Sequence, residues 1–319
     1  MTRSLRTIVA DPLFLALCAA AGLLAIGEIL SPGFARGSQI VSLLTVAAIL
    51  GIVAAGQNLV ILGGREGIDL SVGAMISLGA VLAGNVMNGS NAALPFAILA
   101  AAGVPFLIGL VNGCGITLLR IPPLVMTLGM TAVIQGALVV YSQGVPSGSA
   151  APALSAFVNR PLIFGIPGIL FVWAAIAVLM LFVLRRTRFG FSVYAIGSNE
   201  RAAALTGIPV PAVRILLYGL SGFFAGLTGL FVIGYTGTSF ISVGNQYVLP
   251  SIIAVVIGGT SLAGGTGGYL GTVAGAVVLT LLQSVLITLN LDVWARQIIF
   301  GLTLLALLLL YGRQRALQV

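Results

Sequence analysis

The stretch QIVSLLTVAAILGIVAAGQNLVILGGREGIDLSVGAMISLGAVLAGNVMN, residues 39–88, decides the fold. It contains two apolar runs, 39–62 and 69–88, each about as long as the 20 residues that an α-helix needs to cross a bilayer. The glycine-rich break between them holds Arg65 and Glu66. Long apolar runs separated by short charged breaks predict membrane-spanning helices.

The same pattern continues along the whole chain. Of the 319 residues, 59% are hydrophobic and 6% are charged, whereas a soluble domain carries about 25% charged residues. The prediction is an all-α polytopic transmembrane helical bundle that forms one domain over residues 1–319. Glycines at the ends of the second and eighth spans make these two the candidates for broken helices. The ten predicted spans lie near residues 12–30, 39–62, 69–88, 93–118, 122–141, 168–186, 211–236, 248–262, 268–289 and 294–311.

The distribution of arginine predicts the orientation. All 14 basic side chains are arginines. If the N-terminus is cytoplasmic, eleven arginines fall in inside segments, and only Arg36, Arg160 and Arg296 fall outside. Because positive residues are enriched in cytoplasmic loops, both termini are predicted to be cytoplasmic.

A proline-rich outside segment, residues 142–167, divides the ten spans into two sets of five and is predicted to contain a short helix near 154–158. A duplicated unit with an odd number of spans enters the membrane upside down. The span count therefore predicts an inverted repeat, which is a recurrent device of transporters.

Glycines predict close packing of helices within the bundle. In lipid, small residues allow two helix backbones to approach each other. One such seam lies in the seventh span and another in the ninth. The glycines concerned are Gly219, Gly222, Gly226, Gly229, Gly271 and Gly275.

Several classes of enzyme are excluded by what the sequence lacks. The chain has no histidine, which removes Ser–His catalysis and most catalytic zinc sites. It has no lysine, so the glycine-rich stretch GGTSLAGGTGGYLG (258–271) is not a nucleotide-binding P-loop. We therefore predict no catalytic residue, no metal ligand and no bound cofactor in this chain.

The number and position of the charged residues bear on two further functions, nucleic-acid binding and ion-coupled transport. A net charge of +8 is compatible with nucleic-acid binding, but the arginines lie singly or in one small cluster between apolar runs, so we predict no nucleic-acid partner. Proton-driven carriers usually hold an ionisable group at mid-membrane, whereas Glu28, Glu66, Asp69 and Asp292 lie near span ends. An ion-coupled secondary transporter with neutral sodium ligands remains an alternative.

The longest inside loop, RRTRFGFSVYAIGSNERAAALTGIPVPAVR (185–214), contains the signals of a short helix. Ser198 or Asn199 is the predicted N-cap, Glu200 lies in the first turn, and Gly207 with Pro209 ends the helix. A helix of about two turns is marginal unless it docks on something. It is either a surface helix on lipid headgroups or a rigid contact for a cytoplasmic partner.

Five segments of the sequence resemble segments of a known protein family. GIDLSVGA (67–74) and RTRFGFSVYAIGSNERAAALTGI (186–208) are similar to segments of the ribose/xylose/arabinose-type, or monosaccharide, permeases of ABC importers. Three further segments show the same resemblance, and one departure is Arg65–Glu66, where the family more often has glycines. The further segments are SPGF (31–34), LRIPPLVMTLGM (119–130) and IAVVIGGTSLAGGTGGYLGTVAGA (253–276).

The resemblance implies a membrane-spanning permease subunit in the bacterial inner membrane. Its partners would be a second permease subunit, identical or paralogous, separate ATPase subunits that hold ATP and Mg²⁺, and a periplasmic sugar-binding protein. Members of the family also carry nucleosides, a furanone signal or branched-chain amino acids, so these cargoes remain alternatives. Within the cytoplasmic loop, 187–210, the implied ATPase-coupling residues are Ser198, Asn199, Glu200, Arg201, Ala202, Ala203, Leu205 and Gly207.

The substrate pathway is predicted from the polar residues within or near the spans. A sugar suits amides, hydroxyls and aromatic faces, and the leading candidates are Asn58 and Asn112, followed by Gln57 and Ser71. Hydrogen bonding between helices is the alternative role for each of them. Asp69 has the alternative role of capping the helix that follows it.

Overall fold

The computed structural model describes residues 12–64, 67–145 and 148–316. Besides the helices, these residues contain a small antiparallel hairpin, β1 (Pro161–Ile163) and β2 (Ile166–Pro167), and 3₁₀ turns at Asn91–Ala93 and Asn245–Tyr247. The α-helices are α1 Pro12–Leu30, α2 Gly37–Leu62, α3 Val72–Met87, α4 Leu94–Thr117, α5 Pro123–Ser142, α6 Pro152–Asn159, α7 Gly168–Arg186, α8 Arg188–Ser198, α9 Glu200–Leu205, α10 Val210–Thr236, α11 Val248–Ile257, α12 Tyr269–Thr288 and α13 Val293–Ala316.

The prediction of an all-α polytopic membrane protein is confirmed. Within the described residues, seven helical segments are long and apolar enough to cross a membrane. They correspond to α1, α2, α4 with the 3₁₀ turn before it, α5, α7, α10 and α12. Two further apolar helices, α3 and α11, are shorter.

Two predicted spans have different bounds in the structure. The third span begins at Val72 rather than at residue 69, because residues 67–70 are not helical. The eighth ends at Ile257 rather than near 262, since Gly258 and Gly259 interrupt the helix, and Gly259 adopts a positive φ of 83°. Ten residues of α11 rise about 15 Å, half of the bilayer core. The second span, by contrast, is one unbroken helix of 26 residues.

Helix α10 lies at the centre of the bundle. It packs along α4, α3 and α2, and most of its side chains are buried. Helix α2 in turn packs against α12 and α11. In contrast, α1 and α5 expose most of their apolar side chains, as expected for helices that face lipid.

The predicted glycine seams are found where helices cross. A Cβ atom on Gly226 would overlap the carbonyl oxygen of Ala101 in α4, and one on Gly222 would overlap that of Pro105. In the second seam, a Cβ on Gly271 would overlap the carbonyl oxygen of Gly258. Hydrogen in place of a side chain therefore sets the distance between these backbones.

This packing predicts an asymmetric response to alanine. Gly226→Ala is expected to destabilise the fold by about 1–3 kcal/mol, because the added methyl group meets backbone that cannot move aside. Gly136→Ala is the matched control, since nothing lies within 4 Å of a Cβ at that position in α5. Thermal unfolding in detergent measures both, and equal midpoints would contradict the packing argument.

The segment predicted to be outside contains a short helix and a hairpin. The predicted helix near 154–158 is present as α6, Pro152–Asn159, and it packs on the C-terminal end of α10. The Asn159 side chain donates to the carbonyl of Gly234 at 3.0 Å. Because α7 separates this segment from α8, the two lie at opposite ends of the bundle.

Candidate functional site: an exposed helical arm and two buried polar networks

The long loop that the sequence predicts to be inside forms two helices, α8 and α9, which we call the arm (residues 188–205). Thr187 caps α8 by accepting a hydrogen bond from Gly190 N–H at 3.2 Å. Asn199 is extended and caps α9 by accepting from Ala202 N–H at 3.0 Å. Of the two predicted caps, Asn199 is therefore correct, and Ser198 is instead the last residue of α8. Gly207, with a φ of 84°, ends the arm as expected.

Helix α9 projects from the protein. Ala203 is its only buried residue, at 4% exposure, whereas Leu205 is 90% exposed. Arg201 and Ala202 are also exposed. A six-residue helix gains little stability by itself, and its contact with a partner stays a prediction.

An ion pair attaches the arm to the centre of the bundle. The two terminal guanidinium nitrogens of Arg214, Nη1 and Nη2, donate to the Glu200 carboxylate at 3.1 and 3.0 Å. Arg214 is 6% exposed and lies in the second turn of α10. Bidentate pairs of this kind fix orientation as well as distance. Arg214 was not among the predicted site residues, because sequence spacing does not show that it faces Glu200.

The arm also rests on both glycine-rich loops. Gly265 N–H donates to the carbonyl of Leu62 at 3.0 Å, and Gly197 of α8 packs directly against both of these residues. Farther along α8, the Tyr194 hydroxyl donates to the carbonyl of Gly267 at 2.9 Å. The arm therefore contacts the loops that follow α2 and α11.

The first buried network surrounds Asp69, whose side chain is fully buried before α3. Its Oδ1 accepts from Ser71 N–H at 2.9 Å and from the Ser71 hydroxyl, and its Oδ2 accepts from the Ser221 hydroxyl of α10 at 2.8 Å. Asn112 of α4 donates to Ser71 Oγ at 3.0 Å. Asp69 and Ser71 together thus join the segment before α3 to α4 and α10. The alternative role of Asp69 as a cap of α3 is not found, because the backbone N–H that it accepts from belongs to Ser71, before the helix begins.

Gln57 completes this network from α2. Its amide donates to the Asp69 carbonyl at 3.2 Å and accepts from the Asp69 N–H at 3.3 Å. Thr131 of α5 donates to the carbonyl of Leu70 at 3.3 Å. A non-helical segment between two apolar helices needs such partners, since lipid supplies none.

The second network is built around Asn58, the neighbour of Gln57. Its amide donates to the hydroxyls of Thr260 at 2.9 Å and Thr272 at 3.0 Å. Thr260 also accepts from the Gly268 N–H at 3.3 Å. Adjacent residues of α2, Gln57 and Asn58, therefore contact the two non-helical segments. Ser221, Thr260 and Thr272 were missed in the sequence, because single hydroxyls in apolar runs carry no distinctive pattern.

The four residues predicted for the substrate pathway are all fully buried. Each is hydrogen-bonded within the protein, and the Oδ1 atoms of Asn58 and Asn112 are buried without a partner among the described residues. Their role in a pathway stays a prediction. The four residues are Asn58, Asn112, Gln57 and Ser71.

A cavity of about 1050 Å³ lies beneath α9. Its walls are the end of α4, the turn at residues 120–123, α9 and the first turns of α10. The hydroxyl oxygens of Thr117 and Tyr218 are buried there without a hydrogen-bond partner among the described residues. Because buried polar groups usually have partners, this cavity suits polar contents.

Comparison with known proteins places the chain in a family. The family described as "branched-chain amino acid transport system / permease component" matches residues 39–308. No solved structure matches the chain.

The relatives are import permeases. The ribose import permease protein of Bacillus subtilis is 34% identical over 296 residues, which cover 92% of this chain and 91% of the relative. The ribose import permease protein of Escherichia coli K12 is 33% identical over 92% of this chain and 91% of its own length. The autoinducer 2 import system permease protein of Shigella flexneri is 35% identical over 84% of this chain and 78% of its own length. The chain therefore belongs to the sugar-type permease family of ABC importers.

Proposed function

We propose that this chain is the membrane-spanning subunit of an ABC importer in the bacterial inner membrane and carries a monosaccharide. The names of its ribose and autoinducer 2 relatives support a small hydroxylated cargo. A periplasmic binding protein delivers this cargo, and a second permease subunit, identical or paralogous, completes the pathway. The description of the family keeps branched-chain amino acids as the alternative cargo.

The observation that carries the proposal is the exposed arm. Its coupling residues are those predicted from the sequence, Ser198 to Gly207, and Leu205 is the side chain that enters the ATPase partner. The chain itself binds no ATP in this proposal, and ATP with Mg²⁺ is held by the ATPase subunits. The arm lies on the cytoplasmic side, as do both termini. Several arginines used for that orientation, such as Arg3, Arg6 and Arg65, lie outside the described residues.

A mechanical path leads from the arm to the centre of the bundle. The Glu200–Arg214 pair transmits displacement of α9 to α10. Arg214 and Ser221 lie seven residues apart, on one face of α10, and Ser221 holds Asp69. A shift of α10 therefore changes the support of the non-helical segment before α3.

This proposal gives the four buried pathway candidates a different role. In this role their hydrogen bonds hold residues 67–71 and 258–268 in place. The residues concerned are Asn58, Asn112, Gln57 and Ser71. Rearrangement of these segments, driven through the arm, alternates access to the pathway.

Ten spans in two inverted sets of five accommodate the observed packing. In this arrangement α2 of the first set corresponds to α10 of the second, and short α3 corresponds to short α11. Helix α2 packs against α11 and α12 of the other set, while α10 packs against α3 and α4. This reciprocal exchange supports the inverted repeat, and α3 and α11 are its two shortened spans.

Transport by reconstituted vesicles tests the proposed function. Uptake of labelled ribose is expected only when the ATPase subunit, the binding protein and internal ATP are all present, because no energy source lies in this chain. Labelled leucine serves as the competing cargo. Uptake driven by a sodium or proton gradient without ATP would reject the ABC permease and support the ion-coupled alternative.

A further inference from the structure

Three span ends meet at one groove on the side of the bundle that carries the arm. The start of α1, the end of α7 and the start of α12 surround a cavity of about 250 Å³. Leu13, Leu181 and Leu184 contribute to its apolar wall. Arg185 and Tyr194 contribute to its polar end. The floor is glycine-rich backbone from residues 258–259 and 267–268.

The polar end of the groove is positively charged. Arg185 and Arg186 end α7 and Arg188 begins α8, so three of the 14 basic side chains fall within four residues. Among the described residues, no aspartate or glutamate lines the groove.

The apolar wall and the positively charged end of the groove are together complementary to one amphipathic ligand. A guanidinium matches the geometry of a phosphate diester, whereas leucine side chains from α1 and α7 match hydrocarbon. Both features occur where helices leave the apolar layer, which is the level of lipid phosphates. Basic pockets between transmembrane helices at this level bind the headgroups of anionic lipids.

We propose that this groove binds one anionic phospholipid, with its phosphate on Arg185 and its acyl chains along Leu181 and Leu13. The lipid then braces the end of α7 against α12 and α1. It also lies next to Tyr194, whose hydroxyl holds the loop at Gly267. The proposal requires only that the chain spans a membrane, and it stands whether or not the arm binds an ATPase.

Native mass spectrometry of the purified full-length chain in mild detergent tests the site. Phosphatidylglycerol is titrated against phosphatidylcholine with identical acyl chains. We expect one phosphatidylglycerol to bind preferentially, and Arg185→Gln to weaken its binding about fivefold, the usual effect of one arginine near an anionic headgroup. Arg160→Gln, which removes an exposed arginine at the opposite end of the bundle, is expected to leave binding unchanged.

A second variant separates the apolar contacts from the charge. Leu181→Trp fills the groove without altering its charge and is expected to reduce phosphatidylglycerol binding, while Arg185→Lys keeps most of it. Equal binding of the two lipids, equal behaviour of the two glutamine variants, or no retained lipid overturns the proposal. If inorganic phosphate raises the unfolding temperature as much as the lipid does, the ligand is a free anion and the lipid assignment is wrong.

Discussion

Replacing Leu205 with aspartate is expected to abolish ATP-driven transport. The side chain is 90% exposed at the end of α9, so the protein alone loses no packing. In the proposed complex the same side chain is buried, and an unpaired carboxylate there opposes docking. Loss of a central apolar anchor weakens an interface by about 2 kcal/mol or more, or roughly thirtyfold. Binding of the detergent-solubilised chain to immobilised ATPase measures the effect.

The matched control for this substitution is Phe164→Asp. Phe164 is 95% exposed in the turn of the hairpin, at the opposite end of the bundle, so the same change in charge has no ATPase to affect. Both variants are expected to unfold at the temperature of the unmodified chain. Undiminished ATPase binding by Leu205→Asp would falsify the role of α9 as the coupling helix.

Leu205 tests the arm more cleanly than its charged residues do. Reversing the charge of Glu200 breaks its bidentate pair with Arg214 and leaves a guanidinium that is 6% exposed without that partner. Such a variant disturbs the attachment of the arm as well as any contact with a partner. A change at Leu205 leaves the ion pair intact.

The spans could be predicted from sequence because lipid imposes one strong rule. A long apolar run surrounded by lipid forms a helix, since its backbone is then satisfied by hydrogen bonds within the segment. The rule predicts α3 and α11 longer than they are. In each of these two predicted spans the residues are apolar but the helix is interrupted. Residues 67–70 are not helical because side chains on α2, α5 and α10 satisfy this segment instead. No pattern within residues 67–70 shows those partners.

The site was predictable to the extent that it is local. Asn199, Glu200 and Gly207 carry capping chemistry that acts within a few residues, so α9 follows directly from them. Of the two alternative caps, Asn199 and not Ser198 is used, because α8 continues to Ser198. Helix continuation depends on packing rather than on capping propensity. Pairings such as Arg214 with Glu200 and Ser221 with Asp69 join distant parts of the chain. One sequence alone contains no record of those contacts.

Asp69→Asn is expected to lower the free energy of unfolding substantially. The carboxylate accepts two bonds from Ser71 and one from Ser221, and it is fully buried. An amide presents a donor where one oxygen of Asp69 accepts, and leaving a buried hydrogen-bonding group unsatisfied costs about 1–3 kcal/mol. We therefore expect a loss of about 2 kcal/mol in the free energy of unfolding, measured by denaturation in mixed micelles.

Asp292→Asn is the control, because Asp292 lies between α12 and α13 and accepts from the Trp294 side chain in an exposed hydrogen bond at 3.2 Å. It is expected to change stability by about 0.5 kcal/mol at most. The double variant Asp69→Asn with Ser221→Ala should destabilise the fold by less than the sum of the two single changes. Both single changes remove the same hydrogen bond, the one from the Ser221 hydroxyl to Asp69. Additive losses would show that Asp69 does not join α10 to the segment before α3, and the proposed mechanical path would lose its last step.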